Sequence, residues 1–309
     1  MGKATRESYG IALVELGREN EKIVVLDADL SKSTKTNGFK SEFKDRFFNA
    51  GIAEQNLMGM AAGFANVGNI PFASTFAVFA TGRAFEIIRN SICYPKMNVK
   101  IAATHAGITV GEDGGSHESI EDIALMNSLP NMTVIVPADH REAMAATKAA
   151  AEFYGPVYLR FGRCTTEDIF DENYKFEIGK GVQIRDGKDV TIIATGMMVQ
   201  KAVEASKELE SQGVNARVIN ISTIKPIDRK IIIEAAKETK GIVTAEEHSI
   251  IGGLGAMVSE VVCNECPTLV KMVGIKDAFG ESGTPDELME KYGLTSQAII
   301  EEVNKILRK

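Results

Sequence analysis

The feature that most constrains the fold is a regular alternation of short apolar runs with helical patterns along residues 8 to 161. The runs are rich in β-branched residues and lack the two-residue alternation of a sheet with one wet face. Such runs are typical of parallel strands covered by helices on both faces. The predicted strands are 23–26, 46–49, 70–75, 99–104, 133–137 and 157–161. The predicted helices are 8–17, 54–67, 76–91, 119–127 and 141–152.

A polar, acidic stretch at residues 163–179 interrupts this pattern and has the character of a linker. A second αβ series begins at Val190. Its further elements are predicted at 199–211, 216–221, 228–237, 241–245, 255–264 and 268–275, with two closing helices after position 284. The sequence therefore predicts two α/β domains, each a doubly wound, mostly parallel sheet, at residues 1–170 and 171–309.

Charge and composition exclude several function classes. The net charge is -7, so no basic stripe is available for a nucleic-acid partner. Small anionic substrates remain compatible, because a few Arg residues can bind one phosphate. No apolar run reaches the 18 residues of a membrane span, and the polar N-terminus is unlike a signal peptide. We therefore expect a cytoplasmic protein without membrane or nucleic-acid partners.

Three residues stand at predicted strand–helix junctions, where parallel α/β sheets bind ligands. Glu54 opens a helix, and taken alone it is explained by the helix macrodipole, which favours an anion in the first turn. Phe76 and Phe79 are spaced i, i+3 on a predicted helix, which places both rings on one face. Such a pair is usually core, and the alternative is an aromatic wall against a flat heterocycle.

The run Gly111-Glu-Asp113-Gly-Gly-Ser-His117 is a more specific signal. Its glycines permit sharp turns and a close approach of the backbone to a ligand. Of the four His in the chain, His105 and His117 flank this loop. A His side chain suits proton transfer and hydroxyl binding near neutral pH. The alternative is a Gly-rich loop with no ligand.

Other candidate sites give weaker signals. His140 stands at a predicted helix start, where capping is the simpler reading. His248 precedes a Gly-rich turn into a helix whose amides can hold an anion. Cys263 and Cys266 have the spacing of a redox or zinc pair, but they end a predicted helix and no second pair is present.

Several motifs, in order along nearly the whole chain, resemble the transketolase family. They are Asp27-Ala-Asp29-Leu-Ser-Lys-Ser33, Gly51-Ile-Ala-Glu54, Ser74-Thr-Phe76-Ala-Val-Phe79, Thr104-His105, Gly111-Glu-Asp113-Gly-Gly-Ser-His117, Pro137-Ala-Asp139, Lys225-Pro-Ile-Asp228 and Phe279-Gly-Glu-Ser-Gly283. The resemblance implies a pyrimidine-binding fold followed by a transketolase C-terminal domain. The chain has no Gly-Asp-Gly run with a downstream Asn, the family's diphosphate and magnesium signature. It therefore resembles the C-terminal subunit of a split transketolase.

The resemblance also implies a role for each matching residue. Thiamine diphosphate would lie against Glu54, Phe76, Phe79 and Asp29, with Glu54 bonded to the aminopyrimidine ring and acting in catalysis. His105 and His117 would act in catalysis and contact sugar hydroxyls, and Asp113 would select sugar stereochemistry. Arg6, Ser33 and Arg163 would bind the sugar phosphate. Bidentate Arg suits phosphate well. No metal ligand is expected in this chain.

The implied reaction is transfer of a two-carbon ketol unit from a ketose phosphate to an aldose phosphate. A partner N-terminal subunit would supply the diphosphate site and its Mg²⁺, with two copies of each chain. Departures from the family pattern leave two points open: Gly82 replaces an aromatic residue, and either Arg160 or Arg163 can be the phosphate contact.

Three alternatives remain open. The first is the beta subunit of a 2-oxo-acid dehydrogenase decarboxylase component. The second is an enzyme that condenses pyruvate with a triose phosphate. The third is a noncatalytic assembly subunit, against which an intact Glu54 and both His residues count, because the fold requires none of them.

Overall fold

Twelve strands form two separate sheets in the computed structural model, which describes residues 2–308. The strands are β1 (Ile23–Asp27), β2 (Phe47–Asn49), β3 (Ile70–Phe76), β4 (Lys100–Thr104), β5 (Thr133–Ile135), β6 (Val157–Arg160), β7 (Val182–Arg185), β8 (Val190–Ala194), β9 (Ala216–Asn220), β10 (Thr223–Lys225), β11 (Ile242–Ser249) and β12 (Val270–Ile275). The first sheet has the order β10-β5-β6-β4-β3-β1-β2, and the second has the order β12-β11-β8-β9-β7.

Helices lie between the strands in both domains. They are α1 (Thr5–Glu19), α2 (Asn37–Glu42), α3 (Glu54–Asn66), α4 (Phe85–Ile87), α5 (Asp122–Asn127), α6 (His140–Glu152), α7 (Met198–Ser211), α8 (Arg229–Glu238), α9 (Leu254–Glu265), α10 (Pro285–Lys291) and α11 (Ser296–Leu307). The central strands β1, β4 and β8 are buried along their whole length, as expected for strands covered on both faces. The predicted fold class is confirmed.

Within residues 2–308, two strand pairs are antiparallel, and the sequence analysis missed the outer strand of each. β7 pairs with β9 at an edge of the second sheet, and β10 pairs with β5 at an edge of the first. Their sequences, Val-Gln-Ile-Arg and Thr-Ile-Lys, include polar residues and form no continuous apolar run. Because β10 follows β9 in the chain but joins the first sheet, the two domains share a sheet edge. The boundary between residues 170 and 171 stays a prediction.

The predicted helix at residues 76–91 differs from the structure. Phe76 is the last residue of β3, and two π-helical segments, Phe79–Arg83 and Ile88–Cys93, interrupt the helical turns after it. A π turn contains one more residue than an α turn, so a 3.6-residue pattern does not detect it. Such π segments frequently occur at functional sites.

Asp139, rather than His140, caps α6. Its carboxylate accepts a hydrogen bond from the backbone N–H of Glu142 at 2.8 Å, and it also accepts from Ile169 and Phe170 in the connecting stretch. One buried carboxylate therefore fixes both a helix start and the path of the chain toward the second domain.

Among residues 2–308, no helix combines the length and apolarity needed to cross a membrane.

A buried ion pair within the first domain orients the arginine that links it to the second domain. Arg160 on β6 donates to Asp122 of α5 at 2.8 Å, to the carbonyl of Ser119 at 3.2 Å and to the carbonyl of Glu247 on β11 at 3.0 Å. Tyr158 also donates to Asp122, at 2.6 Å. Burial opposes ionisation of Asp122, but the Arg160 charge together with His248 and the hydrogen bonds from Arg160 and Tyr158 outweighs it and holds the pKa of Asp122 below its usual value.

We predict that Asp122→Ala destabilises the protein by about 3–5 kcal/mol, because it leaves the buried Arg160 charge without its partner. Urea unfolding followed by circular dichroism measures this change. Arg18→Ala is the matched control, because Arg18 and Glu42 form an exposed pair, and its unfolding midpoint should stay close to that of the wild type. Equal shifts of the unfolding midpoint for the two variants would contradict a stabilising role for the buried pair of Arg160 and Asp122.

Candidate functional site

The candidate site lies at the carboxyl ends of the strands in the middle of the first sheet. Phe76 ends β3, His105 directly follows β4, and Glu54 begins α3 after β2. In a doubly wound sheet, this edge is where ligands bind. The sequence analysis placed Glu54, Phe76 and Phe79 at strand–helix junctions and His105 beside the Gly-rich loop.

Four rings form a compact aromatic cluster. Phe76 stacks on His105 with ring centroids 3.9 Å apart, and it lies nearly parallel to Phe79, at 11° and 6.0 Å. His117 meets Phe79 edge-on at 5.4 Å and Phe76 at 6.3 Å. The predicted aromatic wall therefore exists, but it is formed by a strand end and a π-helical segment rather than by one face of a helix.

Glu54 is 2% exposed, and its carboxylate is bound by Arg83. Arg83 Nη1 donates to Glu54 Oε2 at 2.7 Å, and the guanidinium also lies over the Phe79 ring, with Cζ 4.8 Å from the centroid. The sequence analysis did not identify Arg83. Its only signal was a position one turn beyond Phe79, and the π-helical geometry that turns it toward Glu54 was not predictable.

His105 is a buried, neutral histidine in a left-handed backbone conformation, with φ of 56°. Its Nε2 accepts from Arg6 Nη1 at 3.1 Å, so the ring proton of the neutral form lies on Nδ1, 2.9 Å from Thr104 Oγ1. Burial, together with the nearby charges of Arg6 and Arg163, lowers the pKa of His105 to about 3. At neutral pH the ring therefore offers a hydrogen-bonding group without a charge.

Arg6 connects His105 to the loop that carries Ser33. It donates to the Ser33 carbonyl at 3.0 Å. Asp27 fixes this loop, because its buried carboxylate accepts from Leu30 N at 2.5 Å, Thr34 Oγ1 at 2.7 Å and Thr36 Oγ1 at 2.9 Å. Burial raises the pKa of Asp27 above its usual value. The sequence analysis had Asp27 in a motif but gave it no role.

The structure separates the two candidate arginines. Arg160 is 6% exposed and engaged in the domain link, whereas Arg163 is partly exposed. Arg163 Nη1 lies 3.7 Å from Asp113 Oδ2 and 3.5 Å from Glu112 Oε2, and it donates to the Val110 carbonyl. Arg163 is thus the arginine available to a ligand, and it lies beside the predicted stereochemistry residue Asp113.

The Gly-rich loop packs against the second domain. Gly111 and Gly114 have φ values of +80° and +76°, which glycine adopts without strain. A Cβ on Gly114 would lie 2.5 Å from Ser282 Oγ, and one on Gly115 would lie 2.5 Å from the Gly280 carbonyl. Domain packing therefore explains Gly114 and Gly115, which the sequence analysis attributed to the approach of a ligand.

Asp29 is exposed and lies outside the hydrogen bonds of this cluster. Its carboxylate accepts from Asn49 Nδ2 at 2.8 Å, and its own N–H donates to Asn49 Oδ1 at 3.0 Å. Its backbone is left-handed, with φ of 64°, as that of His105 is. Gly82 has no atom within 4 Å of the position a Cβ would take.

Two weaker sequence signals have structural explanations. His248 is fully buried; its Nδ1 donates to the Ser249 carbonyl at 2.7 Å, and its Nε2 accepts from Ala124 N at 3.4 Å. Burial lowers the pKa of His248 to about 4. Cys263 and Cys266 have free thiols, and no group of three or more His, Cys, Asp or Glu within residues 2–308 is arranged to hold a metal ion.

Comparison with known families decides the assignment. The pyrimidine-binding domain of transketolase matches residues 1–167, and the transketolase C-terminal domain matches residues 179–299. This chain belongs to the transketolase family. The resemblance stated from the sequence is confirmed.

Relatives of about the same length as this chain and relatives about twice as long both match it. A putative transketolase C-terminal section from Methanocaldococcus jannaschii is 52% identical over 99% of this chain and 97% of its own length. A 6-deoxy-6-sulfo-D-fructose transketolase subunit from Clostridium sp. is 40% identical, over 97% of this chain and 94% of its own length. Transketolase of Mus musculus is 37% identical over 99% of this chain, which spans 49% of that protein.

Solved structures agree with this similarity. A structure described as a split gene transketolase, inactive beta4 tetramer, superposes with a TM-score of 0.94 at 60% identity, over 99% of both chains. Transketolase from Leishmania mexicana superposes with a TM-score of 0.84 at 25% identity, over 99% of this chain and 45% of that one. The chain is thus similar to a whole split-gene subunit and to about half of a single-chain transketolase.

We predict that the His105 ring stays neutral between pH 5 and 8, because its pKa lies near 3. Its NMR ring signals, assigned by their loss in His105→Asn, should not shift over this range.

In the unfolded chain His105 takes up a proton near pH 6.5, whereas in the folded chain it does so only near 3. His105 therefore makes the free energy of unfolding decrease as the pH falls between these values. His105→Asn should therefore lose stability less steeply than the wild type. A titration midpoint near 6.5 would refute this.

Proposed function

We propose that this chain is the C-terminal subunit of a thiamine diphosphate-dependent transketolase formed with a second, N-terminal chain. The reaction is transfer of a two-carbon ketol unit from a ketose phosphate to an aldose phosphate. The observation that carries the proposal is the convergence at one sheet edge of a buried carboxylate, a pair of parallel rings and two cationic groups around a neutral histidine. The name of the M. jannaschii relative supports the two-chain organisation.

The residues present fit the aminopyrimidine half of the cofactor. Glu54 is buried, and its Oε1 accepts no hydrogen bond from any residue in the described part of the chain, so one carboxylate oxygen remains for a ring nitrogen. Phe76 and Phe79 offer near-parallel faces for a flat ring. Thiamine diphosphate supplies the carbon nucleophile and electron sink that two-carbon transfer requires. The proposed role of Glu54 is to hold and exchange a proton at the pyrimidine nitrogen. Asp29, exposed and bound to Asn49, is proposed to border the cofactor.

The sugar phosphate is proposed to lie on the cationic side of the cluster. Arg6, Arg163 and the Ser33 loop would bind the phosphate, since guanidinium groups match phosphate geometry. His105 and His117 would contact hydroxyls close to the aromatic rings, and both would take part in catalysis. Asp113, held near Arg163, would select the configuration of one hydroxyl. Fixing the sugar by several groups at once is what brings it into reactive geometry.

The diphosphate and Mg²⁺ are proposed to bind to the partner chain, because this chain lacks the Gly-Asp-Gly run and its downstream Asn. Mg²⁺ requires near-octahedral oxygen coordination, which is compatible with phosphates and a few partner ligands. Two copies of each chain, in the cytoplasm, remain our proposal. The split-gene structure of one chain type, described as inactive, supports a requirement for the second chain.

The donor sugar is proposed to be a ketose phosphate, and relatives indicate how it can vary. One relative is named for a sulfonated fructose and another, from Phocaeicola vulgatus, for apulose 4-phosphate. All three donors named here carry a terminal anionic group, which the Arg6 and Arg163 side of the site can accept. Assays of the two-chain complex with each sugar, and with a 2-oxo acid and lipoyl scaffold, separate a transketolase from a 2-oxo-acid dehydrogenase subunit.

We predict that Glu54→Gln lowers the turnover of the two-chain complex by at least about 100-fold, because the amide cannot exchange the required proton. Native mass spectrometry should show that the variant still assembles. Glu86→Gln, a change of the same kind at an exposed helical position, is the control and should keep wild-type turnover. Normal turnover of Glu54→Gln would disprove the assignment.

We predict that Arg6→Gln raises the KM for a phosphorylated ketose by roughly 10- to 100-fold, because a hydrogen bond between charged groups contributes about 1.5–3 kcal/mol. Turnover of an unphosphorylated ketose at saturation should change much less. Steady-state assays with the two donors make the comparison within one variant. An equal loss for both donors would assign Arg6 to His105 positioning instead of phosphate binding.

A further inference from the structure

Arg83 makes two contacts that the aminopyrimidine of the cofactor would be expected to make. Its Nη1 donates to the buried Glu54 carboxylate at 2.7 Å, and its planar guanidinium lies over the Phe79 ring at 4.8 Å. An aminopyrimidine held by Glu54 and Phe79 needs the same combination of a nitrogen donor toward the carboxylate and a flat face toward the ring. Arg83 bonds only Oε2 and leaves Oε1 of Glu54 without a partner in the described part of the chain, but it also covers a face of Phe79. The guanidinium and an aminopyrimidine would therefore compete for that ring face and for the single negative charge of Glu54.

Burial explains why Glu54 needs a partner before any cofactor binds. The side chain is 2% exposed, and a carboxylate removed from water without a partner is strongly unfavourable. Arg83 is the cationic side chain that supplies this partner within residues 2–308. The pair therefore stabilises the folded chain in the state without cofactor.

Arg83 is also placed where it can move. Its side chain is 49% exposed, and Glu54 is its one hydrogen-bond partner in the described part of the chain. It ends the π-helical segment Phe79–Arg83, and the preceding Gly82 has no atom within 4 Å of its Cβ position. The half-exposed guanidinium thus reaches water by rotation of a long side chain.

We propose that Arg83 is an internal substitute for the aminopyrimidine: it binds Glu54 and Phe79 in the chain without cofactor, and thiamine diphosphate must displace it to bind. This inference rests on the proposed function. It assigns to Arg83 a positioning role in which it keeps the Glu54 carboxylate paired and oriented until the cofactor arrives. Competition of this kind reduces the apparent affinity by the fraction of molecules in the open state.

The test is thiamine diphosphate binding to the assembled two-chain complex, measured by isothermal titration calorimetry with saturating Mg²⁺. Arg83→Met keeps an unbranched apolar stem and removes the guanidinium and its charge. We expect its apparent Kd to be about 10-fold lower than that of the wild type. Arg89→Met is the control, because Arg89 is exposed and donates to its neighbour Asn90; its Kd should equal that of the wild type.

Two further measurements show whether the effect acts through Glu54. In a Glu54→Gln background, Arg83→Met should give no gain in affinity, since the contested carboxylate is gone. Without cofactor, Arg83→Met should lower the Tm of the complex, and saturating thiamine diphosphate should remove that difference. These outcomes support the proposal, and an unchanged or higher Kd for Arg83→Met, or a gain that persists in the Glu54→Gln background, overturns it.

Failure of the inference and failure of the proposed function are distinguishable. If the wild-type complex binds thiamine diphosphate and Glu54→Gln weakens that binding, the cofactor assignment stands and Arg83→Met alone decides the inference. If the wild-type complex does not bind thiamine diphosphate, both the proposed function and the inference are overturned.

Discussion

The buried pair of Arg160 and Asp122 is the interaction on which the rest of the site depends. The Arg160 guanidinium reaches the segment after the Gly-rich loop through the Ser119 carbonyl and the second domain through the Glu247 carbonyl. Asp122 lies in the first domain with Arg160, and because a buried pair is expensive to break, it holds the guanidinium where it can bind the second domain. The Gly-rich loop is then fixed from both sides, because Gly114 and Gly115 also pack against residues 280–282. The positions of Asp113 and His117 follow from that packing.

The site places charged guanidinium groups beside a neutral histidine ring. Two guanidinium groups near His105 lower its pKa further in the direction set by burial, so the ring stays neutral beside them. An anionic ligand then meets the cationic groups, and a hydroxyl meets the neutral ring, which is the combination a sugar phosphate needs. The buried Glu54 carboxylate is paired with Arg83, whose guanidinium lies over the Phe79 ring. Phe79 therefore contacts both the His117 ring and the cation that neutralises Glu54.

The sequence predicted most strands and helices because the strands are apolar runs and the helices are long enough to show their period. It failed for β7 and β10, whose apolar residues are interrupted by polar ones and whose pairing depends on distant strands. It also failed after Phe76, where π-helical turns shift each following side chain around the helix axis. Arg83 was missed for that reason. Asp27 was missed because its role is to accept three hydrogen bonds that fix its own loop, and these depend on the folded path of that loop.

The sequence by itself determined the fold class, the family and the residue types at the strand ends, since these follow from local patterns and motif order. The tertiary structure decided which of those residues meet. Only the packing of the two domains buries Arg160 and leaves Arg163 accessible, although the two stand three positions apart in the sequence. Only the folded chain brings Arg83 to Glu54 across 29 positions. The physical reason is that pairing and burial are set by contacts between distant segments, which local sequence patterns do not encode.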